Sequence, residues 1–211
     1  MKVSRSLEAL MPRHRSSVRI LLWSAALLFL NLSVTGCPHH DVRFEQIGHT
    51  IENKQYDASA VVVIPASTTQ EVVPIRSFMA GYANTWDVRP GHMLRQVVDV
   101  EFPQMFKSYR VSEEYTEPEG THRRLVLDLA VTKYAFDDFR ATVIVRAIAY
   151  APGRVPLFEK TYQEEGDTQG GKMFGGGAFA MKSAIRQSSY DAYKKAFAKL
   201  RADLAAVLDK P

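Results

Sequence analysis

The sequence predicts an α+β fold, a two-layer sandwich with an antiparallel-rich sheet and two main helices on one of its faces. Three observations carry this. Residues 124–163 hold three strand-like runs separated by short turns, and strands joined that closely must be antiparallel neighbours. Two stretches, 92–106 and 179–208, repeat apolar residues at three- and four-residue spacing. Helices and strands are segregated along the chain, and helices with one apolar face need an open sheet face to cover.

Residues 60–65 (AVVVIP) read as a short buried strand ended by proline. Residues 66–70 are a turn or short loop. Residues 71–78 form a second strand that Pro74 confines to an edge or a bulge. The Gly, Asn, Asp and Pro content of residues 79–91 predicts a loop carrying Tyr82 and Trp86. The first helix follows at 92–106, with Leu94, Val97, Val98, Phe102, Met105 and Phe106 on one face and Pro103 near its end, where it kinks or stops the helix. A strand at 109–115 and a turn at 116–121 come next. Residues 124–136 alternate cleanly, with Leu125, Leu127, Leu129 and Val131 on one side. Asp137-Asp138 marks a tight turn, residues 140–150 the next strand, 151–154 a turn and 155–163 the last strand. Residues 164–177 are acidic and then glycine-rich, a flexible linker or a functional flap at 170–177. The final helix is clean from Tyr190 onward, through Tyr193, Phe197, Leu200, Leu204 and Leu208. Before Tyr190 the pattern weakens, with Arg186 on the apolar side and Ile185 off it.

The N-terminal segment stands apart. Lys2, Arg5, Arg13, Arg15 and Arg19 precede an apolar run, which ends in small residues and the chain's only cysteine, Cys37. Charged, then apolar, then small is the order of a secretory signal. The run from Ile20 to Val34 is broken by Ser24, Asn31 and Ser33 and falls short of the roughly 20 apolar residues that span a bilayer. Val34-Thr35-Gly36-Cys37 resembles the lipobox of bacterial lipoproteins. The resemblance implies cleavage between Gly36 and Cys37, a diacylglyceryl group on the Cys37 thiol and acylation (palmitate among the usual chains) of the new amine. Position 38 is Pro rather than the Asp that marks inner-membrane retention in enterobacterial lipoproteins, so the resemblance favours the periplasmic face of the outer membrane. The signal is long from Met1 and of ordinary length from Met11. The expected organisation is a cleaved signal peptide over residues 1–36, a lipidated N-terminus and tether over 37–56, and one periplasmic domain over 57–211.

Residues 1–36 hold five of the chain's 27 Lys and Arg but one of its 23 Asp and Glu, which leaves 22 of each in the mature chain. The overall charge of +4 therefore belongs to the signal and points to no nucleic-acid partner. With Cys37 lipidated, no thiol remains for a disulfide, and the domain must fold on apolar burial alone.

No catalytic motif appears, and no catalytic residue is assigned. Ser188 and Ser189 lack a neighbouring base, and His92 and His122 lack assignable partners. Gly175-x-Gly177-x-x-Ala180 follows no buried strand and opens no βαβ unit, so no dinucleotide or other cofactor is expected. His39, His40, Asp41 and His49 could contribute to a metal site, but no second ligand cluster follows, and a polar tether is the simpler expectation. Tyr82 and Trp86 either anchor a partner or fold back to cap the core.

The segments AVVVIPA, PGHMLRQVVDVEF, RRLVLDLAVTKYAF with ATVIVRAIAY, and SSYDAYKKAFAKLRADLAAVL are ordered as in small periplasmic lipoproteins of the ABC-type transport auxiliary and YajG-like groups, which the region 58–208 resembles. The resemblance transfers no functional residue. It favours a non-enzymatic accessory or interaction module of an envelope complex, such as a lipid or efflux transporter, anchored to the membrane by lipid. Docking would use the Trp86 loop, the glycine-rich segment or an open sheet edge. The alternatives are a binding module for cell-wall glycan or a small apolar ligand, using Tyr82 and Trp86, and an unrecognised hydrolase.

Overall fold

The longest alternating run in the sequence forms the centre of the architecture. A computed structural model describes residues 39–45, 55–76, 84–119 and 123–209, with only the backbone described for 172–179. In chain order the elements are β1 (His39–Val42), β2 (Tyr56–Val63), α1 (Ala66–Gln70), β3 (Val73–Ile75), β4 (Thr85–Val88), α2 (Pro90–Met105), β5 (Phe106–Ser112), β6 (Arg123–Asp137), β7 (Arg140–Ala151), β8 (Val155–Glu165) and α3 (Gly170–Leu208). The fold is mixed α+β, and its longest pairings are antiparallel, β6 with β7 and β7 with β8.

The larger sheet has the order β5-β2-β6-β7-β8. Its inward face is built from alternating residues: Ala58, Ala60 and Val62 on β2, Leu125, Leu127 and Leu129 on β6, and Ala141, Val143, Val145, Ala147 and Ala149 on β7. Small side chains on β7 and the buried Ala184, Ala192 and Ala196 of α3 let the helix lie close to the sheet. Both long helices contribute to the same core, α2 through Leu94, Val98 and Phe102, and α3 through Ile185, Tyr193 and Leu204. The β6–β7 turn places Asp138 and Phe139 at φ of 48° and 58° between the paired Asp137 and Arg140, the two-residue geometry that matches strand twist.

Several local expectations are corrected. Strand β2 is parallel to both β5 and β6, because α1, β3, β4 and α2 intervene before β5 returns to its side. Residues 66–70, expected as a turn, form a single helical turn. Inside the expected loop 79–91, residues 85–88 form β4. The interval expected as a tether contains β1, which pairs with β4 in parallel from His39↔Thr85 to Val42↔Val88. Together with β3, antiparallel to β4, these make a second, three-stranded sheet. The glycine-rich stretch is neither linker nor loop, since the helix backbone already begins at Gly170. Ile185 is fully buried, so the apolar stripe of α3 begins earlier than the spacing from Tyr190 suggests.

Pro90 opens α2 at a position where a missing N–H costs nothing. Pro103 lies in its last turn, and the chain passes straight into β5. The carbonyls freed there are not wasted: Gln55 Nε2 donates to Pro103 O and Phe106 O, both at 3.2 Å. Two glycines are required by contact. A Cβ on Gly91 would lie 2.0 Å from the Thr68 carbonyl oxygen, and one on Gly166 would lie 1.8 Å from that of Ser188. Without them α1 could not approach α2, nor the end of β8 approach α3.

Candidate functional site

Of the residues singled out by sequence, Gly36, Cys37 and Tyr82 lie outside the described residues. Trp86 is described, and it is not a surface anchor. It sits on the central strand of the small sheet with 0% of its surface exposed, and its ring stacks on His40 at 5.7 Å between centroids. β4 places Trp86 and Val88 on the core side, which is why a tryptophan in a polar sequence context ends up inside. Its indole Nε1 finds no hydrogen-bond partner among the described residues.

The histidines beside it each meet a polar side chain on or next to β4. His39 Nδ1 lies 2.8 Å from Asp87 Oδ2, and His40 Nε2 lies 3.0 Å from Asn84 Oδ1. Asp41 faces Arg43 at 2.5 Å and Arg89 at 4.0 Å. Among the described residues no group of three or more His, Cys, Asp or Glu converges as a metal site.

Ser188 and Ser189 are structural. The Ser188 hydroxyl accepts the Ala141 N–H at 2.8 Å. Ser189 donates to the Ile185 carbonyl at 2.6 Å and lies 2.7 Å from the Tyr134 hydroxyl, which is then the donor. Burial drives the Tyr134 phenol well above its ordinary range, so it stays neutral. Tyr193 is likewise held neutral by burial and donates to the Pro90 carbonyl at 2.6 Å, linking α3 to the entrance of α2. These contacts hold helix to sheet, and both Ser188 and Ser189 are 0% exposed. The carboxylate of Glu101, 4% exposed, pairs with Arg201 between the two long helices.

Among the described residues, two surfaces stand open to other molecules. The first is a cleft of about 460 Å³ lined by Phe44, Glu45, Arg186, Gln187 and Tyr190. Phe44 is its floor, 5% exposed and edge-on to Tyr190 and Tyr193. Arg186 pairs with Glu45 across it. Arg186 is the residue that interrupts the apolar pattern of the last helix, and that interruption is the one sequence signal for the cleft. An incoming anion would have to displace the Glu45 carboxylate.

The second surface is the edge of β8. Among the described residues no strand lies beyond it. Val155 and Leu157, at 56% and 40% exposed, are two of the three exposed large apolar residues among the described residues. Pro156 between them and the charged run beyond, Glu159, Lys160, Glu164 and Glu165, are what edge strands carry to avoid indiscriminate pairing. Sequence reasoning found this strand but not its place at the edge, because sheet order is set by pairings that the strand itself does not encode.

The outer face of the large sheet is partly covered by the segment after β5. Tyr115 packs on Tyr150 with Val61, Val63 and Val126 beneath, and Arg154 lies over its ring at 4.2 Å. Glu117 takes hydrogen bonds from Tyr115 at 2.8 Å and from the Gly153 N–H at 3.0 Å, which hold its carboxyl below the usual range. Beyond this strap, burial raises the pKa of Asp128, and Arg146 opposes the shift.

No protein-family profile matches the chain. No curated protein matches it either. Among solved structures it is similar to protein XCC0632 from Xanthomonas campestris, described as DUF330. That likeness has 10% identity and a TM-score of 0.46, covering 81% of this chain and 99% of the other. An uncharacterised protein is similar at 14% identity and a TM-score of 0.41, over 82% and 100% of the two chains. The hypothetical protein CT253 from Chlamydia trachomatis is similar at 7% identity and a TM-score of 0.38, over 71% and 99%.

Proposed function

We propose that the protein is a bacterial lipoprotein, held to the cell envelope through Cys37, whose domain is a non-enzymatic accessory or interaction module of an envelope complex. One observation carries the reading: a basic, then apolar, then small-residue leader ends in Val34-Thr35-Gly36-Cys37, with the chain's only cysteine at the lipidation position. A single acyl chain holds a protein marginally, and a diacylglyceryl group with a third chain on the amine makes a stable anchor. Pro38 at the sorting position favours the periplasmic face of the outer membrane.

The β8 edge supports a docking role. A partner strand added there would extend the sheet through main-chain hydrogen bonds, with Val155 and Leu157 as apolar contacts. Trp86 has no part in this, being buried, and the glycan-binding alternative that relied on it loses that residue. The test is in-cell cross-linking mass spectrometry on tagged, lipidated protein, with Cys37→Ser and the Val155→Asp/Leu157→Asp pair as comparisons. The expected result is a set of links from β8 to one membrane complex, lost in both variants. Links that ignore both changes would sink the docking assignment.

The cleft beside Arg186 favours a second reading, a small-ligand module. Its polar and aromatic lining suits a compact ligand with an anionic group better than an apolar one. Extraction of the purified protein followed by mass spectrometry, compared with Arg186→Met, tests it. A ligand retained by the parent and lost from the variant is the expected sign.

A further inference from the structure

The described fold begins at His39, two residues after the proposed anchor. Only Pro38 lies between them, and proline is the stiffest available spacer. Two residues reach at most roughly 7 Å.

β1 cannot simply peel away to lengthen that link. It pairs with β4 along its whole length, His39 is tied to Asp87, His40 stacks on Trp86, and Val42 is 0% exposed. Strands β1 and β4 run the same way, and β3 runs against them. The end of the sheet where β1 begins is therefore also where β4 begins and β3 finishes. It carries His39, Asn84 and the exposed Arg76.

From these constraints we infer that this end of the three-stranded sheet rests in the phospholipid headgroup layer, so that the domain stands on the bilayer with no free tether. The inference rests on lipidation of Cys37. The headgroup layer of one leaflet is roughly 5–8 Å deep, the same length as the two-residue link. An acyl glycerol at its base therefore brings His39 into it. The partner of this surface is the membrane itself, and the anchored domain has one orientation rather than a range.

Cys37 is the only native cysteine and its thiol is used by lipid, so a single introduced cysteine can be labelled selectively. We would purify the lipidated full-length product carrying Arg76→Cys or Val72→Cys, label each with an environment-sensitive fluorophore, and reconstitute it into phosphatidylethanolamine–phosphatidylglycerol vesicles containing headgroup-nitroxide lipid. Val72 is exposed just before β3, and four residues of extended chain set it about 13 Å from position 76, away from the anchor. Quenching should be several-fold stronger at position 76 than at 72. A Gly-Ser spacer of about 20 residues inserted between Pro38 and His39 reaches roughly 25 Å and should abolish that difference. Equal quenching at the two positions, or a difference that survives the spacer, would overturn the inference while the anchor stands. Mass spectrometry of the N-terminal peptide reads the anchor separately, and an unacylated Cys37 would remove both.

Discussion

The molecule contains two sheets built by opposite strategies. The β6–β7–β8 meander uses long strands, turns of two and three residues and a regular alternation of apolar and polar residues, so each strand finds its neighbour locally. The β1–β4–β3 sheet uses strands of three or four residues drawn from separate parts of the chain, and its centre is one tryptophan. In the first, stability is spread along eleven to fifteen residues per strand. In the second it is concentrated in Trp86, Val88 and Val42.

The comparison can be broken most forcefully at Trp86. Replacing it with alanine should cost about 3–5 kcal/mol, the loss expected for a fully buried aromatic. If the small sheet belongs to the same cooperative unit as the meander, urea unfolding of the parent followed by the fluorescence of Trp86, the one tryptophan after residue 36, and by far-ultraviolet circular dichroism should give one coincident transition. Separate transitions would show that the small sheet melts alone. Trp86→Phe should cost much less than Trp86→Ala, since it keeps most of the ring and deletes an indole N–H with no partner among the described residues.

Gly166→Ala probes where the meander hands the chain to α3. The new methyl would meet the Ser188 carbonyl, which belongs to helix backbone and cannot swing aside, so a loss of about 1–3 kcal/mol is expected. A variant as stable as the parent in chemical denaturation would mean the helix sits further from the sheet than described.

A smaller effect, with a pH signature, is expected at Asp203. Burial opposes its ionisation, but the Lys160 ammonium at 2.6 Å and the Tyr162 hydroxyl at 2.8 Å outweigh burial and leave its pKa lowered. A carboxyl lowered on folding adds stability that is present above its unfolded pKa, about 3.9, and is lost as pH falls through the folded value. Asp203→Asn should therefore cost about 1 kcal/mol at neutral pH, since Lys160 is half-exposed and screened, and the gap should close below about pH 4. A gap unchanged between pH 7 and pH 3 would place the loss in packing rather than charge.

What was legible in the sequence follows the same division. The meander, α2 and the later part of α3 were readable because their patterns are long enough to repeat. β1 and β4 were not: His39-His40-Asp41-Val42 and Thr85-Trp86-Asp87-Val88 are too short to show a period, and each is a strand only because the other lies alongside. Gly170–Gly171 and the glycines after them read as a linker because glycine disfavours helix, yet the helix is continuous through them, so tertiary context overrides propensity there. The cleft left one trace, Arg186 on the apolar side of its helix. The open edge at β8 left none beyond its exposed valine and leucine.

The parallel placement of β2 has a kinetic consequence. The β6–β7 and β7–β8 hairpins close over a few residues and can form in microseconds. β2, though made earlier, has no partner until β5 and β6 follow, and β1 must wait for β4. Contacts this distant in sequence slow folding, because loop-closure entropy is spent before the pairing rewards it. The run from Ala60 to Ile64 is strongly β-prone and carries no charge, and it stays unpaired until those strands arrive. Aggregation of this protein should therefore begin at its second strand, before folding is complete, and a charged residue in place of Ser59 should suppress it at the cost of the hydrogen bond that the Ser59 hydroxyl accepts from Ser108 at 2.8 Å.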